Sequence, residues 1–354
     1  METIAFARGV PAPECLPVEE MADCARAAIE RDGKTVLSYG PGGGYAPLRA
    51  WIAERHGVEP ARVLLTNGAL QGFVLIAQRL ARGRRVLVER PTYDRPLKIL
   101  HGLGAEVVPL AMDDEGLAPD ALEAALKTGP PPAFLYTIPT FQNPTGLSLS
   151  NARRSRVAEI AAEHDLFVLE DDPYGLIRFE GETPPSIFDL SGKSIAYTSS
   201  FSKTIGPGVR VGWYVLPAAL AKELEDDANS TYITPGLIGQ AAVFEFVSRG
   251  NFEPNLVRVN ALLKARRDAM MDALQRRLPE ARWSHPEGGY FTWLELPEGT
   301  NAAEVAARAE GVTVVLGTDF GGAANTMRLA YSFVSPAEID IGVERLAATI
   351  AINA

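Results

Sequence analysis

The residues with the most distinctive chemistry lie where apolar runs of the chain end in polar loops. In the segment 198–213, one such run is followed by Ser200, Ser202, Lys203 and Arg210. Burial and a neighbouring cation such as Arg210 both lower the pKa of a lysine, which suits an amine that forms a Schiff base. Hydroxyls and a guanidinium beside that amine make an anion site suited to a phosphate ester. A solvated lysine in an ordinary surface loop is the alternative.

A second polar segment follows the apolar run 166–170, where Asp171 and Asp172 precede Tyr174. A buried carboxylate at this position could hold a pyridine-type nitrogen protonated and so turn the ring into an electron sink. The alternative is that the two aspartates only cap the end of a strand.

Two further loops carry groups suited to ligand binding. Asn143 lies in a Pro-Thr-Gly turn that presents its amide, which offers both a donor and an acceptor. At Gly68, Ala69 and Leu70 a strand runs directly into a helix, whose free N–H groups form a cradle for phosphate.

These loops connect predicted strands and helices that alternate along the chain. The predicted strands are 63–66, 85–89, 106–110, 133–138, 166–170, 195–199 and 211–216, and the predicted helices are 68–82, 95–103, 118–127 and 150–164. Several strands are apolar throughout, as in a parallel sheet that is buried on both faces. The pattern predicts an α/β fold with a large, doubly wound, mostly parallel sheet, which binds ligands at the carboxyl ends of its strands.

The remaining C-terminal segments predict a smaller α+β domain. Helices are predicted at 236–249, 253–278, 302–309 and from 336, with strands at 290–296, 312–316 and 327–332. We therefore predict an N-terminal arm with part of the small domain at 1–37, including a helix at 18–31. The large domain is predicted at 38–247 and the small domain at 248–354.

The composition is that of a globular protein and disfavours several function classes. Of the 354 residues, 47% are hydrophobic and 22% are charged, and the formal net charge is −10. An acidic chain without a basic block disfavours nucleic-acid binding. Two cysteines and four scattered histidines offer neither a disulfide framework nor metal-ligand spacing, so we expect no metal. Neither a signal peptide nor a membrane span is recognisable, and we predict a cytoplasmic protein.

Taken in order, the four motifs resemble those of the class I/II aminotransferases of fold type I, which depend on pyridoxal 5′-phosphate (PLP). The resemblance runs from residues 6–11 through 39–49 to 327–329. It is strongest to the branch that contains the 2-aminoadipate aminotransferases and the catalytic domains of MocR-type regulators. Four motifs, each in its expected strand–loop context, make the resemblance specific. It implies the two-domain α/β fold, PLP as cofactor, and a homodimer with shared active sites.

The resemblance also implies roles for the matching residues. Lys203 is similar to the lysine that forms the internal aldimine with PLP and then moves a proton between the substrate Cα and the cofactor. Asp171 resembles the partner of the pyridine nitrogen, and with Tyr174 these are the expected catalytic residues. The expected cofactor-binding residues are Ser200, Ser202, Arg210 and the backbone of Gly68, Ala69 and Leu70 at the phosphate, Tyr93 stacked on the ring, and Asn143 and Tyr174 at its phenolic oxygen. Core packing is the alternative for Tyr93.

Four residues concern the substrate or the second subunit. Tyr39 resembles a tyrosine that reaches the phosphate bound in the other subunit. Arg328 resembles the arginine that clamps the substrate α-carboxylate, with an ordinary exposed arginine as the alternative. Asn143 is expected to bind the substrate as well as the cofactor. Arg8 stands where relatives carry glycine and is a hypothetical second carboxylate contact. A solvent-facing arginine is an equally open interpretation of Arg8.

Ala69 stands where close relatives usually carry a hydroxyl residue, so one phosphate contact must be lost or replaced by backbone.

The activity implied by this resemblance is amino transfer in two half-reactions. An L-amino acid gives its amino group to the cofactor, and a 2-oxo acid, expected to be 2-oxoglutarate, accepts it. A PLP-dependent lyase or decarboxylase is the first alternative, because the sequence does not show which bond at Cα is held perpendicular to the ring. A non-catalytic MocR-like effector-binding module is less favoured. Those regulators carry an N-terminal winged helix, and this sequence has no residues for one before Phe6. A cofactor-free binding protein would require Lys203 to be incidental.

Overall fold

The computed structural model describes residues 3–351. These residues form a large part built on an eight-stranded sheet and a smaller part built on a four-stranded sheet. The elements of the first part are β1 (Ile4–Ala5), α1 (Val18–Val36), α2 (Ala46–His56), β2 (Val63–Thr66), α3 (Ala69–Leu80), β3 (Arg85–Arg90), α4 (Asp94–Gly102), β4 (Glu106–Asp113), β5 (Gly116–Leu117), α5 (Pro119–Leu126), β6 (Phe134–Thr137), α6 (Asn151–Glu163), β7 (Val168–Asp171), α7 (Ile187–Leu190), β8 (Ala196–Ser200), β9 (Gly212–Val215), α8 (Ala218–Tyr232) and α9 (Leu237–Ser248). The elements that follow are α10 (Phe252–Arg277), β10 (Arg282–Trp283), β11 (Phe291–Glu295), α11 (Ala302–Arg308), β12 (Val312–Thr313), β13 (Val315–Leu316), β14 (Thr326–Ala330) and α12 (Pro336–Ala351).

The largest sheet has eight strands in the order β2–β9–β8–β7–β6–β3–β4–β5. Its centre, from β4 through β3, β6 and β7 to β8, is parallel. Strand β9 joins antiparallel to both β8 and β2, and β5 joins antiparallel to β4. The predicted large, mostly parallel sheet is therefore confirmed, and each of its seven predicted strands is present.

Both faces of this sheet are covered, as the uninterrupted apolar runs require. Along β6, Leu135 belongs to one buried cluster, whereas Phe134 and Tyr136 belong to a different one on the opposite face. Leu64 and Leu65 of β2 divide between the same two clusters. Alternate side chains of a strand point to opposite faces, so the two clusters are the two sides of one doubly wound sheet.

A smaller antiparallel sheet, β10–β11–β14–β13, packs with α10 and α12 around Met270, Leu294, Met327 and Leu346. This is the predicted α+β part. The single strand predicted at 312–316 is wrong, because β12 pairs with β1 while β13 pairs with β14.

The N-terminal segment packs against both parts of the molecule. Ile4 and Phe6 are buried in the small-domain core, whereas Cys24, Ala28 and Val36 of α1 are buried in the large-domain core. An arm that contributes to the small domain is thus present, and the domain boundaries at 37 and 247 stay predictions. Within residues 3–351, no helix combines the length and the apolar character needed to cross a membrane.

Helices α2 and α8 have no counterpart in the predicted order of elements. Helix α2 carries Pro47 in its first turn and ends at Gly57, which adopts a left-handed φ of 59°. Proline just inside the start and glycine just past the end are standard helix boundaries, so the sequence did contain this signal. Helix α8 buries Leu224 and Ala228, one turn apart, against the large domain.

Candidate active site

The carboxyl ends of β6, β7 and β8 open into a cleft of about 360 Å³. Twelve of the predicted site residues line it, namely Gly68, Ala69, Leu70, Tyr93, Asn143, Asp171, Tyr174, Ser200, Ser202, Lys203, Arg210 and Arg328. The first eleven come from the loops, the strand ends and the first turn of α3 around the large sheet, whereas Arg328 comes from β14 of the small one. Sequence motifs more than a hundred positions apart therefore meet in one cavity.

Lys203 lies in the loop after β8, and its Nζ donates a hydrogen bond of 3.1 Å to the carbonyl oxygen of Gly9. Burial, together with the positive charge of Arg328, lowers the pKa of Lys203 to about 8, while Asp171 opposes the shift. Near neutral pH, more of this amine is therefore unprotonated than in an ordinary lysine, as a nucleophile requires. The sequence suggested Arg210 as the cation that lowers the pKa of Lys203. In the structure that cation is Arg328.

Asp171 ends β7 with one carboxylate oxygen bonded and the other free. The hydroxyl of Tyr136 donates to Oδ2 at 2.7 Å, whereas Oδ1 is buried and has no hydrogen-bond partner among the described residues. Burial raises the pKa of Asp171 to about 7, against the hydrogen bond from Tyr136. A buried acceptor without a donor is costly, so this atom is suited to a donor on a ligand, such as a protonated ring nitrogen.

The cleft also contains an anion cradle at the start of α3. Gly68 has a φ of +86°, and a Cβ added there would lie 2.4 Å from Nη2 of Arg210. Arg210 itself donates to the carbonyl of Asn67 at 2.9 Å, and the hydroxyls of Ser200 and Ser202 lie 2.8 Å apart. The helix N-terminus, the guanidinium and the two hydroxyls together fit a phosphate group.

Aromatic side chains, among them Tyr93, Tyr174 and Phe291, also line the cleft. Tyr93 stands at the N-terminus of α4, and Tyr174 packs with its ring centroid 5.4 Å from Tyr290 and 5.6 Å from Phe291. Burial raises the pKa of Tyr174, so its hydroxyl stays protonated and can donate. A flat ring fits between such walls.

Arg328 lies at the centre of β14 with 8% of its surface exposed. Its Nη1 donates to Oδ1 of Asn143 at 2.9 Å and its Nη2 to the carbonyl of Ala7 at 3.1 Å. The guanidinium carbon is 4.2 Å from the ring centre of Phe291 and 5.0 Å from that of Phe320. Nε is buried without a partner among the described residues. A rigid guanidinium of this kind is suited to binding a carboxylate.

Two predicted residues are not brought into the cleft of this chain. Arg8 is exposed and stacks on the ring of Phe333, with its guanidinium carbon 3.9 Å from the ring centre. Arg8 is not among the residues that line the cleft, so its role as a second carboxylate contact stays a prediction, whereas its neighbour Gly9 does line the cleft. Tyr39 is 81% exposed, which leaves it free for a contact outside its own chain.

Several lining residues have no counterpart in the predicted set: Gly9, Tyr136, Tyr214, Phe291 and Arg95. For Tyr136 a signal was present, because strand alternation places it on the same sheet face as Leu169 and Asp171. Tyr214 donates its hydroxyl to the carbonyl of Ala69 at 2.6 Å and so supports the start of α3.

Comparison with known proteins identifies similar chains over the whole length. A family model described as aminotransferase class I and II matches residues 14–346. A 2-aminoadipate transaminase of Thermus thermophilus is 39% identical over 97% of this chain and 89% of its own. Aromatic-amino-acid aminotransferase 1 of Thermococcus litoralis is 35% identical over 99% of this chain and 88% of its own.

The chain is also similar to an aminotransferase of known structure and to a transcriptional regulator. The α-aminoadipate aminotransferase from Thermus thermophilus, complexed with N-(5′-phosphopyridoxyl)-L-leucine, superposes with a TM-score of 0.94 at 36% identity, over 99% of this chain and 92% of that one. An HTH-type transcriptional regulator of Bacillus subtilis is 34% identical over 82% of this chain and 61% of its own length. The resemblance predicted from the motifs is confirmed for both groups.

Proposed function

Since the chain belongs to the class I and II aminotransferases, PLP-dependent enzymes that act on amino acids, we propose that it transfers the amino group of an L-amino acid to 2-oxoglutarate in two successive half-reactions. The unpartnered Oδ1 of Asp171, in the same cleft as Lys203 and Arg328, supports this most directly. The same cleft also holds the anion cradle at Gly68, so it offers one group for the ring nitrogen and one for the phosphate of PLP.

When bound, PLP supplies an electron sink conjugated to the substrate Cα. Asp171 holds a proton at the ring nitrogen, which requires Asp171 to be ionised beside that positive charge. Lys203 would take the proton from the substrate Cα and return it to C4′ of the cofactor, as its lowered pKa permits. Arg328 binds the α-carboxylate, and the backbone of Gly68, Ala69 and Leu70 binds the phosphate with Ser200, Ser202 and Arg210.

Titration of the purified, PLP-loaded protein with single amino acids tests the proposal. L-Glutamate is expected to bleach the visible absorbance of the cofactor, and 2-oxoglutarate added afterwards is expected to restore it. Release of carbon dioxide, or of a fragment of the amino acid, would instead establish a decarboxylase or a lyase. A protein that glutamate leaves unchanged but that other donors bleach would keep amino transfer and replace the proposed donor and acceptor pair.

A homodimer with shared sites is the second part of this proposal. Leu37, Tyr39, Ile233 and Ile238 are large apolar side chains that remain exposed, from 42% to 81%. They lie near one another, because Gly40 contacts Leu237 and the loop before α9 bonds to Asn67 at the edge of the phosphate cradle. An exposed apolar surface beside the cradle suits an interface through which Tyr39 reaches the partner's phosphate.

Subunit mixing tests this arrangement. The variants Lys203→Ala and Tyr39→Ala are each expected to lose activity when purified alone. Mixed after dissociation and reassociation, they form some dimers in which one site carries both changes and the other carries neither, so activity returns. If no activity returns although native mass spectrometry shows mixed dimers, Tyr39 acts within its own chain.

A further inference from the structure

Four cationic side chains line the cleft among the described residues: Arg95, Lys203, Arg210 and Arg328. Lys203 performs the chemistry, Arg210 belongs to the anion cradle, and Arg328 is the α-carboxylate arginine. Arg95 is the one cation of these four to which the proposed function has not yet given a role. A positive charge left over in a substrate cleft is suited to the part of the substrate that varies.

Arg95 is the second residue of α4, two positions after the ring-stacking Tyr93. Its side chain is 59% exposed, and the nearest carboxylate, that of Asp94, is 3.7 Å from its Nε. The same carboxylate is only 2.7 Å from Nζ of Lys98, so Asp94 is already paired with a better placed cation. The guanidinium of Arg95 is thus weakly engaged within the chain and free to bind an anion.

The start of α4 is also close to the group that binds the α-carboxylate. Among the charges that act on Arg328, Asp94 raises its pKa against the effect of burial. Arg95 follows Asp94 directly, and both arginines line the same cleft of about 360 Å³. An amino acid held at Arg328, with its Cα at Lys203, leaves its side chain to extend along the cleft toward a second cation.

Resting on the proposed function, we propose that Arg95 binds the distal carboxylate of a dicarboxylic amino acid or 2-oxo acid, with Arg328 holding the α-carboxylate. The site thereby favours substrates of the chain length of glutamate over aliphatic amino acids of equal length. Arg95 takes the part that the sequence suggested for Arg8, which lies outside the cleft on Phe333.

Binding of two unreactive ligands to the PLP-loaded protein tests this without any turnover. Glutarate and pentanoate have the same carbon count, and each can place one carboxylate on Arg328, but glutarate alone has a second. Calorimetry is expected to show that Arg95→Met weakens glutarate binding about tenfold and leaves pentanoate binding unchanged, because a charge-assisted bond is lost. Arg95→Lys keeps the charge and is expected to retain part of the preference for glutarate.

The surface arginine Arg82, outside the cleft, provides the matched control. Arg82→Met is expected to bind both ligands as the parent protein does. Equal weakening of glutarate and pentanoate by Arg95→Met, or no weakening of either, would overturn the assignment of Arg95. A failure of the proposed function is distinct, since it appears as an absence of amino transfer from any amino acid to the loaded enzyme.

Discussion

Asp171 and Asp172 are neighbours in the chain, and the structure uses them in opposite ways. Asp171 faces the cleft with one buried oxygen unpartnered. Asp172 faces the other side of the sheet, where the hydroxyl of Tyr197 donates to Oδ2 at 3.0 Å and the N–H of Gly175 to Oδ1 at 2.8 Å. The contrast shows that a carboxylate left without a donor is prepared for a ligand, whereas one that is fully bonded supports the fold.

The cavities on the two sides repeat this contrast. Behind the sheet lies a second cavity of about 300 Å³, lined by Asp172 and Arg154 among others. Arg154 donates to the carbonyls of Leu149 and Pro139 at 2.9 and 2.6 Å and to Thr140 at 2.9 Å. Its charged groups are thus bonded to the protein. Size alone does not distinguish the cavities, but unpartnered polar atoms do.

Asp171→Asn is the change that tests the functional side of the comparison. An amide can present an N–H to the ring nitrogen and cannot hold a proton there, so we expect kcat to fall about 10²–10³-fold. Because burial raises the pKa of Asp171 to about 7, the ionised carboxylate opposes folding, and the PLP-free variant should be at least as stable as the parent. Steady-state kinetics and thermal unfolding measure the two effects; a variant that loses stability and keeps kcat would reverse the assignment.

Asp172→Asn should show the opposite pattern. The amide can accept through one oxygen only, so either Tyr197 or the N–H of Gly175 is left without an acceptor. We expect a loss of about 1–3 kcal/mol in the free energy of unfolding, with kcat within a few-fold of the parent. Urea unfolding and kinetics on the same preparation check this. Loss of activity without loss of stability would contradict the comparison.

Gly68→Ala tests the anion cradle. The added Cβ would meet Arg210 and would have to adopt the φ of +86°, so we expect affinity for PLP to fall about tenfold. The control is Gly83→Ala, where φ is +65° but nothing lies within 4 Å of the added Cβ. Fluorescence titration of the PLP-free proteins should separate the two variants; equal affinity would show that Gly68 serves the backbone turn alone.

The pH dependence of PLP capture is the finest test. Burial and Arg328 lower the pKa of Lys203 from 10.5 to about 8, and the unprotonated amine is the nucleophile. The rate of capture by the PLP-free protein should therefore rise with pH and level off above about pH 8. Arg328→Met removes a positive charge, so its plateau should move to higher pH. A parent profile that still rises toward pH 10 would contradict the lowered pKa.

The local patterns of the sequence account for much of this fold and site. Uninterrupted apolar runs predicted where the strands lie. Because the carboxyl ends of parallel strands meet at one edge of a sheet, the same pattern predicted that Asn143, Asp171 and Lys203 lie close together. Helix α2 was missed because its weak apolar periodicity follows a glycine-rich loop, although Pro47 and Gly57 marked its ends. The strand predicted at 312–316 is two strands in the structure, because β12 pairs with β1 and β13 pairs with β14.

What could not be predicted depends on packing between distant segments. Gly9 meets Lys203 across 194 positions, and no local pattern encodes that contact. Arg8 and Arg95 are both cations close to a predicted motif, but Arg95 lines the cleft whereas Arg8 stacks on Phe333.

The bond from Lys203 to the Gly9 carbonyl gives the N-terminal segment a measurable role as a reporter. The turn around Gly9 is closed by the N–H groups of Arg8 and Val10, and Phe6 just before it accepts from the N–H of Ala330 at 2.8 Å. When Nζ forms a covalent bond to the cofactor, Gly9 loses its donor while Phe6 stays anchored in the small domain. Amide hydrogen exchange at Arg8 and Val10 then distinguishes loaded from empty molecules in the absence of any substrate.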